Sequence, residues 1–302
     1  GIKLSGTSLT LIKNCYLKNL SYGIHVYTIT GNNSYIKDNI IRSCQIAIKI
    51  DNNRSKKVTI QNNIIETNVT GIWSYRSDSD IFKNICVGNG VALRIDGWTC
   101  GTGGVCNGVS PYVFQNIIAY NTNALTISSS YSVYEENIFF ENSGEKLINL
   151  HSDANGNNYS TPTFINNSFQ NNDAIYSIYN GEGNVTAENN WWGTTSTDSI
   201  STMIYDSYDN VNMGLVDYEP ILSQPYLDGP LIPAHNITLL DNGNDYISLN
   251  WKGSSLGDLA GYKLHYDSDS SGYPYTNSID IGTDTSYTLS GLILSTTYYL
   301  AV

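Results

Sequence analysis

The sequence is poor in charged side chains, and poorest in basic ones. Charged residues make up 14% of the 302 residues, and 15 Lys and Arg stand against 27 Asp and Glu, which gives a formal net charge of −12. A surface this acidic repels phosphate backbones, which argues against nucleic-acid binding. No apolar run is long enough to cross a bilayer, and no basic start followed by an apolar stretch marks a signal peptide.

In place of charge, the sequence carries a repeated phrase. An Asn is followed by one or two apolar residues and usually by a second Asn five places on, eight times in the first 190 residues. The first Asn is Asn14, Asn39, Asn63, Asn84, Asn116, Asn137, Asn167 or Asn190, and the second is Asn19, Asn68, Asn89, Asn121, Asn142 or Asn172, with Cys44 in its place once. Successive first Asn lie 21 to 32 residues apart, which is too short for paired-helix repeats and fits one coil of a parallel β-helix.

An apolar residue follows two places after every first Asn. This column consists of Tyr16, Ile41, Ile65, Cys86, Ile118, Phe139, Phe169 and Trp192, and stacked coils would bury it as a continuous core. We expect the Asn itself to occupy a coil corner, because Asn tolerates left-handed backbone geometry. Its buried amide could also donate to one neighbouring coil and accept from the other.

The repeat stops at Trp191-Trp192-Gly193, and the composition then changes twice. Large apolar residues without the period continue to about residue 227, as a cap on a solenoid requires. A linker runs from Asp228 to Pro233, and beyond it Tyr246–Trp251 and Gly261–Tyr266 alternate as half-buried strands. We therefore predict an all-β chain, with a parallel β-helix over residues 1–227, its cap at about 190–227, and a second domain over 228–302.

Both parts resemble known families. Residues 1 to about 225 resemble the right-handed parallel β-helix family, which includes pectate lyases and polygalacturonases, and the ending from Asn189-Asn190-Trp191-Trp192-Gly193 to Tyr218-Glu219-Pro220 is similar to the terminal segment of some members. Residues 230–302 resemble a fibronectin type III module, an immunoglobulin-like β-sandwich. The resemblance implies that Trp251 lies on strand B, Tyr262 on strand C, and Leu292 with Tyr298 at the tyrosine corner. It also implies a secreted, bacterial protein.

We expect this chain to be a piece of a longer protein. Gly1 is not an initiator Met, and Ile2 to Leu4 already follows the strand pattern of a coil. At the other end, Ala301-Val302 falls in what would be strand F of the sandwich, so strand G is missing.

The strand after the second Asn carries the candidate site. We take Ile2, Ile24, Ile48, Ile72, Leu93, Leu125, Ile148 and Ile175 as inward residues, and period-two alternation then places the next residue outward. The first outward column is Lys3, His25, Lys49, Trp73, Arg94, Thr126, Asn149 and Tyr176; the second is Ser5, Tyr27, Asp51, Tyr75, Asp96, Ser128 and His151. Eight coils about 4.8 Å apart give a strip roughly 34 Å long, enough for several sugar units.

The residue types on this strip suit a polysaccharide. Aromatic rings offer faces for sugar rings, and the charged groups offer hydrogen bonds. The predicted substrate-binding residues are His25, Tyr27, Trp73, Tyr75, Asn149, His151 and Tyr176. An ordinary solvated sheet face is the alternative, because these residue types are common on such faces.

Two catalytic schemes can be placed on the strip. In the lyase scheme Lys49 is the base, Arg94 holds the substrate carboxylate, and Tyr75 or His25 is the acid. In the hydrolase scheme Asp51 and Asp96 are the acid and base, two coils or roughly 10 Å apart.

Several motifs of the resembling enzymes are missing. The sequence has no Asp-Pro-His triplet of the alginate epimerases, and no paired Asp-Asp or Gly-His-Gly of the polygalacturonases. It also lacks a cluster of acidic calcium ligands like that of the pectate lyases. These departures leave open whether the chain is an enzyme.

Two short segments of the sequence suggest a disulfide and a calcium site. Cys100 and Cys106 flank a Gly-rich loop in the longest coil and suit a disulfide, with free thiols and a metal site as alternatives. Asp267 to Gly272 mimics the opening of an EF-hand loop, but position twelve is Ser278, so a solvated acidic hairpin is favoured over a calcium site. We expect no metal and no cofactor, with calcium left open.

These observations predict an extracellular or cell-surface monomer that recognises a polysaccharide or surface glycan. It would act as a polysaccharide lyase or glycoside hydrolase on an acidic polysaccharide. The alternative is a non-enzymatic surface or adhesion protein whose β-helix is a rigid spacer that binds a glycan or a protein.

Overall fold

A computed structural model describes residues 1–8, 11–31, 33–53, 56–97, 109–151, 160–181, 183–232, 234–253, 259–269 and 275–302. The chain divides into two compact units, Gly1–Pro230 and Leu231–Val302. The sequence-based boundary lies three residues earlier, between residues 227 and 228.

The first unit consists of three long parallel sheets, as is typical of a right-handed β-helix. Among the described residues, the first sheet has the strands Ile2–Ser5, Tyr22–Tyr27, Ile46–Asp51, Thr70–Tyr75, Val91–Asp96, Asn123–Ser128, Ser143–Leu150, Asp173–Asn180 and Ile204–Tyr205. The second has Leu11–Lys13, Ser34–Lys37, Val58–Gln61, Asp80–Phe82, Tyr112–Phe114, Val133–Glu135, Thr163–Ile165, Val185–Thr186 and Val216–Asp217. The third has Tyr16–Lys18, Ile40–Arg42, Ile64–Glu66, Ile85–Val87, Ile117–Ala119, Ile138–Phe140 and Ser168–Gln170. Each coil visits the second, third and first sheet in turn, which confirms the predicted parallel β-helix.

Stacked inward columns form the core of this unit. In the third sheet the inward column is Leu17, Ile41, Ile65, Cys86, Ile118, Phe139 and Phe169. Phe139 stacks on Phe169 with ring centroids 4.8 Å apart, and Phe169 stacks on Trp192 at 4.7 Å. Burial raises the pKa of the Cys86 thiol to about 12, so this thiol is inert at neutral pH.

The first coil is shifted by one residue from the prediction. Tyr16 pairs with Ile40 and is 53% exposed, so Leu17 takes the inward place that the sequence pattern assigned to Tyr16. Cys15 occupies the ladder position, where its N–H donates to Oδ1 of Asn39 at 3.0 Å. Counting from Asn14 fails because in this coil Asn stands at the corner residue that precedes the ladder position.

Two buried asparagine ladders run along the coil corners. Where the counterpart in the preceding coil is also Asn, the Oδ1 of a ladder Asn accepts both its N–H and its Nδ2, as Asn116 does from Asn84 at 2.9 and 3.0 Å. Its Nδ2 then donates to the next ladder Asn, here Asn137 at 2.9 Å, and to the carbonyl of Ile81 at 2.9 Å. This confirms the predicted amide exchange between coils. The structural reason is that a corner breaks the sheet ladder, and the amide replaces the missing bonds.

The left-handed backbone belongs to a different residue from the one predicted. The residue before the ladder Asn has a φ near +55° in seven coils, at Asp38, Asn62, Lys83, Gln115, Glu136, Asn166 and Asn189. The prediction that the repeated Asn itself supplies the left-handed corner is therefore wrong in these coils, although Asn14 and Asn19 of the first coil do have φ values of 55° and 57°. Because the corner side chain points to solvent, its identity varies while the ladder Asn is kept.

Beyond the last repeat, a short helix and two strands join the core. The helix Thr197–Thr202 begins at Ser196, whose hydroxyl accepts the Ser199 N–H, and it buries Ile200. Ile204 and Val216, on the last strands of the first and second sheets, are also buried. No helix in the described part of the chain is long and apolar enough to span a membrane.

The second unit contains two three-stranded antiparallel sheets. One has the strands His235–Asn242, Tyr246–Lys252 and Ser286–Ser290, and the other has Tyr262–Asp267, Asn277–Gly282 and Tyr299–Ala301. Leu249, Trp251, Tyr262, Leu264 and Leu289 form its core. The Trp251 and Tyr262 rings meet edge to face at 5.6 Å.

Candidate functional site

The outward face of the first sheet brings most of the predicted site residues together. Cα pairing gives one column of Lys3, His25, Lys49, Trp73, Arg94, Thr126 and Asn149, and a second of Ser5, Tyr27, Asp51, Tyr75, Asp96 and Ser128. We call the residues from His25 to Ser128 in these two columns the strip. Their registration across the coils agrees with the sequence-based alignment.

The alignment is wrong in the last coil. Asn149 pairs with Tyr179, whereas Tyr176 pairs with Lys146. Ile175, predicted inward, is 65% exposed, and Ile178 is the buried residue. The sequence contained the signal: Ile148 and Ile178 each follow the second Asn of their phrase by six residues, while Leu125 follows by four. The two coils share a two-residue insertion that the prediction recognised only in the first.

Asp51 is the centre of one polar cluster. Its Oδ2 lies 2.5 Å from Nε2 of His25 in the preceding coil and 3.2 Å from Nζ of Lys49 in the same strand. The carboxylate is only 4% exposed. A buried carboxylate needs such partners, so His25 and Lys49 are held in place by it.

Asp96 is the centre of a second cluster two coils further on. Its Oδ2 accepts the indole N–H of Trp73 at 2.8 Å and Nε–H of Arg94 at 2.7 Å. Its Oδ1 accepts the Ser128 hydroxyl at 3.2 Å. Asp96 is 6% exposed, while the Arg94 side chain is 41% exposed.

The Trp73 ring joins the two clusters. Lys49 Nζ lies 4.2 Å from its centroid and Arg94 Cζ lies 4.5 Å from it. Because Lys49 and Arg94 pair with Trp73 from the coils on either side, the two cations cover opposite faces of the indole. The result is a layered stack of cation, ring and cation, anchored below by Asp51 and Asp96.

These contacts bear on both catalytic schemes. Lys49 Nζ is in contact with the Asp51 carboxylate and the Trp73 ring face, so it is already held by partners within the protein. Asp51 and Asp96 each hold cations, so neither carboxylate is presented to solvent. The geometry supports anion binding more readily than proton transfer, and the catalytic roles of these four residues stay predictions.

Two aromatic residues border the strip. Tyr27 is 45% exposed and lies between Ser5 and Asp51 in its column, so small neighbours leave its ring accessible. Tyr75 is half-buried and lies under the guanidinium of Arg76, whose Cζ is 4.7 Å from the ring centroid. Arg76 was missed because it follows the strand end, where alternation no longer assigns a face.

A tyrosine cluster lies on the same sheet in the last coils. Tyr179 and Tyr205 stack with centroids 4.8 Å apart, and Lys146 Nζ lies 3.5 Å from the centroid of Tyr179. Tyr176 meets Tyr205 edge to face at 5.3 Å. Sequence analysis missed Lys146 and Tyr179 because of the insertion in their coils, and it missed Tyr205 because the strand Ile204–Tyr205 lies beyond the last repeat.

Asn149 and His151 continue the two columns one coil beyond the strip. Asn149 pairs with Thr126, and His151, half-buried at the end of its strand, donates its N–H to the carbonyl of Ile127 at 3.0 Å, next to Ser128. Cys100 and Cys106 lie outside the described residues, so their predicted disulfide stays a prediction. Within the described ranges, no group of three His, Cys, Asp or Glu could hold a metal ion, and Cys15, Cys44 and Cys86 are free.

Comparisons with known proteins address the fold. Residues 1–91 match the family described as right handed beta helix region. A solved structure of XylC in complex with xylose is similar, with 14% sequence identity and a TM-score of 0.39, over 89% of this chain and 52% of that one. This chain therefore spans about half the length of that protein. No curated protein matches the chain.

Proposed function

We propose that the strip binds an acidic polysaccharide outside the cell. The observation that carries this proposal is the stack of Lys49, Trp73 and Arg94, which presents the 41% exposed Arg94 side chain on the outward face of the first sheet. The acids nearby, Asp51 and Asp96, are both more than nine-tenths buried beneath it. An anionic polymer would therefore meet the Arg94 guanidinium before the buried carboxylates.

Arg94 is the residue best suited to a sugar carboxylate. Its Nε is bonded to Asp96, and its side chain is 41% exposed, which leaves the terminal nitrogens for an external anion. Trp73 supports this role differently from the prediction, because both its faces are covered by cations and a sugar ring cannot stack on them. The accessible ring for a sugar is Tyr27.

A binding function without catalysis is favoured over the enzymatic one. Lys49 pairs with Asp51, and Asp96 pairs with Trp73 and Arg94. A proton-transfer group has to be released from such pairs before it acts. The β-helix would then be a rigid support for a glycan-binding face in a secreted or surface protein, acting as a monomer.

The second unit is proposed to be a fibronectin type III module. Support comes from its two antiparallel sheets and the packed Trp251 and Tyr262. The hydroxyl of Tyr298 also accepts the N–H of Ile293 at 3.1 Å, a contact of the tyrosine-corner kind.

Binding of polygalacturonate to strip variants tests the proposed function. Arg94→Met and Lys49→Met should each weaken binding at least tenfold in microscale thermophoresis, because each removes a cation from the face. Lys57→Met is the matched control, since Lys57 pairs with Asp80 on the second sheet. Equal binding by all three variants would remove the strip as the site.

The same samples separate binding from catalysis. The non-catalytic proposal expects no unsaturated or reducing ends after incubation with polygalacturonate. Ultraviolet-absorbing ends that form with the parent chain and vanish in Lys49→Met would replace it with the lyase scheme.

A further inference from the structure

The basic residues of the chain are concentrated in its first coils. Residues 1–57 contain nine Lys and Arg against two Asp and Glu, which gives this part a formal net charge of +7. Residues 58–302 contain the other six Lys and Arg against 25 Asp and Glu, a formal net charge of −19. The overall charge of −12 therefore conceals a positive region at one end of an acidic molecule.

Four of these basic side chains border the third sheet in its first two coils. Lys13 and Lys37 end the first two strands of the second sheet, and Lys18 and Arg42 end the first two strands of the third. Lys13 and Lys18 are exposed, and the side chains of Lys37 and Arg42 are 34% and 40% exposed. We call these four residues the basic corner, because the second sheet meets the third between them.

Like charges are stacked in the basic corner. Lys13 pairs in register with Lys37, and Lys18 with Arg42. Neighbouring strands lie about 4.8 Å apart, so like charges in register repel each other unless an anion lies against them. The next coil ends both stacks, because its residues in these two columns are Gln61 and Glu66.

The carboxylates near the basic corner neutralise half of its charge. Asp38 lies 3.7 Å from Lys37, and Glu66 pairs with Arg42. In the part of the chain that the structure describes, no ion pair joins Lys13 or Lys18 to a carboxylate. The basic corner therefore presents two uncompensated positive charges to solvent, and such a surplus attracts anions.

From this surplus we propose that the basic corner binds a flexible polysaccharide that carries sulfate or phosphate esters. Three of its four cations are Lys, whose ammonium is a point charge suited to a tetrahedral anion, whereas the planar guanidinium of Arg94 on the strip suits a carboxylate. The two sites lie on different sheets and differ in their cations, so this proposal goes beyond the function proposed for the strip and does not depend on it.

The placement of the cations favours a polysaccharide over other polyanions. They lie on two sheets, so a planar lipid surface would meet one pair at a time, whereas a flexible chain can bend round the corner. A nucleic-acid duplex would extend over the coils beyond residue 57, whose acidic residues repel it. Single-stranded nucleic acids bind by stacking bases on aromatic rings, and the Tyr16 ring is already packed against Lys18 and Arg42, whose charged groups lie 5.7 and 5.4 Å from its centroid.

Binding of dextran sulfate and dextran phosphate to the full chain tests the proposal, with unmodified dextran as the neutral polymer. In microscale thermophoresis at low salt, the double variant Lys13→Gln, Lys18→Gln should bind at least one of the two esters at least tenfold more weakly than the parent chain. Gln suits both positions, because Gln61 and Gln170 occupy later places in the same two columns. The comparison of the two esters identifies the preferred anion.

Lys83→Gln is the matched control for the loss of one exposed cation. Lys83 holds the left-handed corner of its coil, and Gln115 holds the same corner in the next coil, so the fold accepts the change. This variant should change the affinity for either ester by less than about twofold. Arg94→Met should also leave ester binding nearly unchanged, while it weakens binding of polygalacturonate.

Four results would overturn the proposal. Unmodified dextran bound as tightly as its esters would show that charge is not recognised. Equal ester binding by the double variant and the parent chain would remove the basic corner as the site. Ester binding lost in Arg94→Met and kept in the double variant would assign it to the strip. Tighter binding of phosphatidylserine vesicles or of a single-stranded oligonucleotide, lost in the double variant, would assign the basic corner to another class of ligand.

Discussion

At the scale of single residues, each ladder Asn serves two neighbouring coils with one amide. Asn63 accepts from the N–H and Nδ2 of Asn39 and donates to Oδ1 of Asn84, and it is fully buried. Removing it would leave backbone and side-chain donors of another coil without partners in the interior. Unsatisfied buried donors cost more than the bond itself contributes.

Substitutions at positions 62 and 63 test the two roles independently, because Asn62 is the left-handed corner residue and Asn63 is the ladder residue. Asn63→Ala should lower the free energy of unfolding by about 3 kcal/mol in urea denaturation, because at least two buried donors lose their acceptor. Asn62→Gly should change it by less than about 0.5 kcal/mol, since Asn62 is exposed with a φ of 54° that Gly adopts freely. Equal losses at both positions would contradict the division of roles.

The free energy of unfolding should depend on alkaline pH through the buried hydroxyl of Tyr134. Burial raises the pKa of its hydroxyl, which also accepts a hydrogen bond from Ser132 at 3.1 Å. Because the folded chain keeps this proton more tightly than the unfolded chain, its contribution is complete below pH of about 10 and is lost as pH rises further.

Tyr134→Phe should therefore flatten the alkaline fall in unfolding free energy by up to about 1.4 kcal/mol per pH unit. At pH 7 it should cost only about 1 kcal/mol for the lost hydrogen bond. Urea denaturation from pH 7 to 11 measures both, with the exposed Tyr131→Phe as control. An unchanged alkaline slope in Tyr134→Phe would show that this hydroxyl is not the coupled group.

At the scale of elements, the register of the coils decides which side chains meet. Sequence counting placed the middle coils correctly because each Asn there is followed by strands of constant length. It failed in the first coil, where Asn14 stands at the corner position, and in the last, where an insertion moves Tyr179 into the column of Asn149. Local pattern cannot register a coil whose marker residue or length departs from its neighbours.

Ring stacking closes the C-terminal part of the core. Phe169 lies between Phe139 and Trp192, with both faces in contact. Phe169→Ala should lower the unfolding free energy by about 4 kcal/mol, because it opens a cavity between two rings that cannot close it. Gln170→Ala, on the outward side of the same strand, should cost less than about 1 kcal/mol. A smaller loss for Phe169 than for Gln170 would contradict the inward assignment.

At the scale of the whole molecule, the solenoid turns single side chains into aligned rows. Composition and repeat predicted the parallel β-helix and the strip, since both follow from a regular period. They could not predict that Asp51 and Asp96 are buried under Lys49, Trp73 and Arg94. The reason is that the sequence of one strand does not determine which side chains of neighbouring coils it contacts. That pairing changed the expected role of Trp73 from sugar platform to support for two cations.

The function proposed for the strip is recognition of negative charge on a polysaccharide. Isothermal titration of the chain with polygalacturonate, and with the same polymer after reduction of its carboxylates to alcohols, tests it most directly. We expect binding to the acidic polymer that weakens at least tenfold on carboxyl reduction, and likewise in Arg94→Met. It should also weaken with added salt, because exposed charges are screened. Equal affinity for the acidic and the reduced polymer would contradict the account.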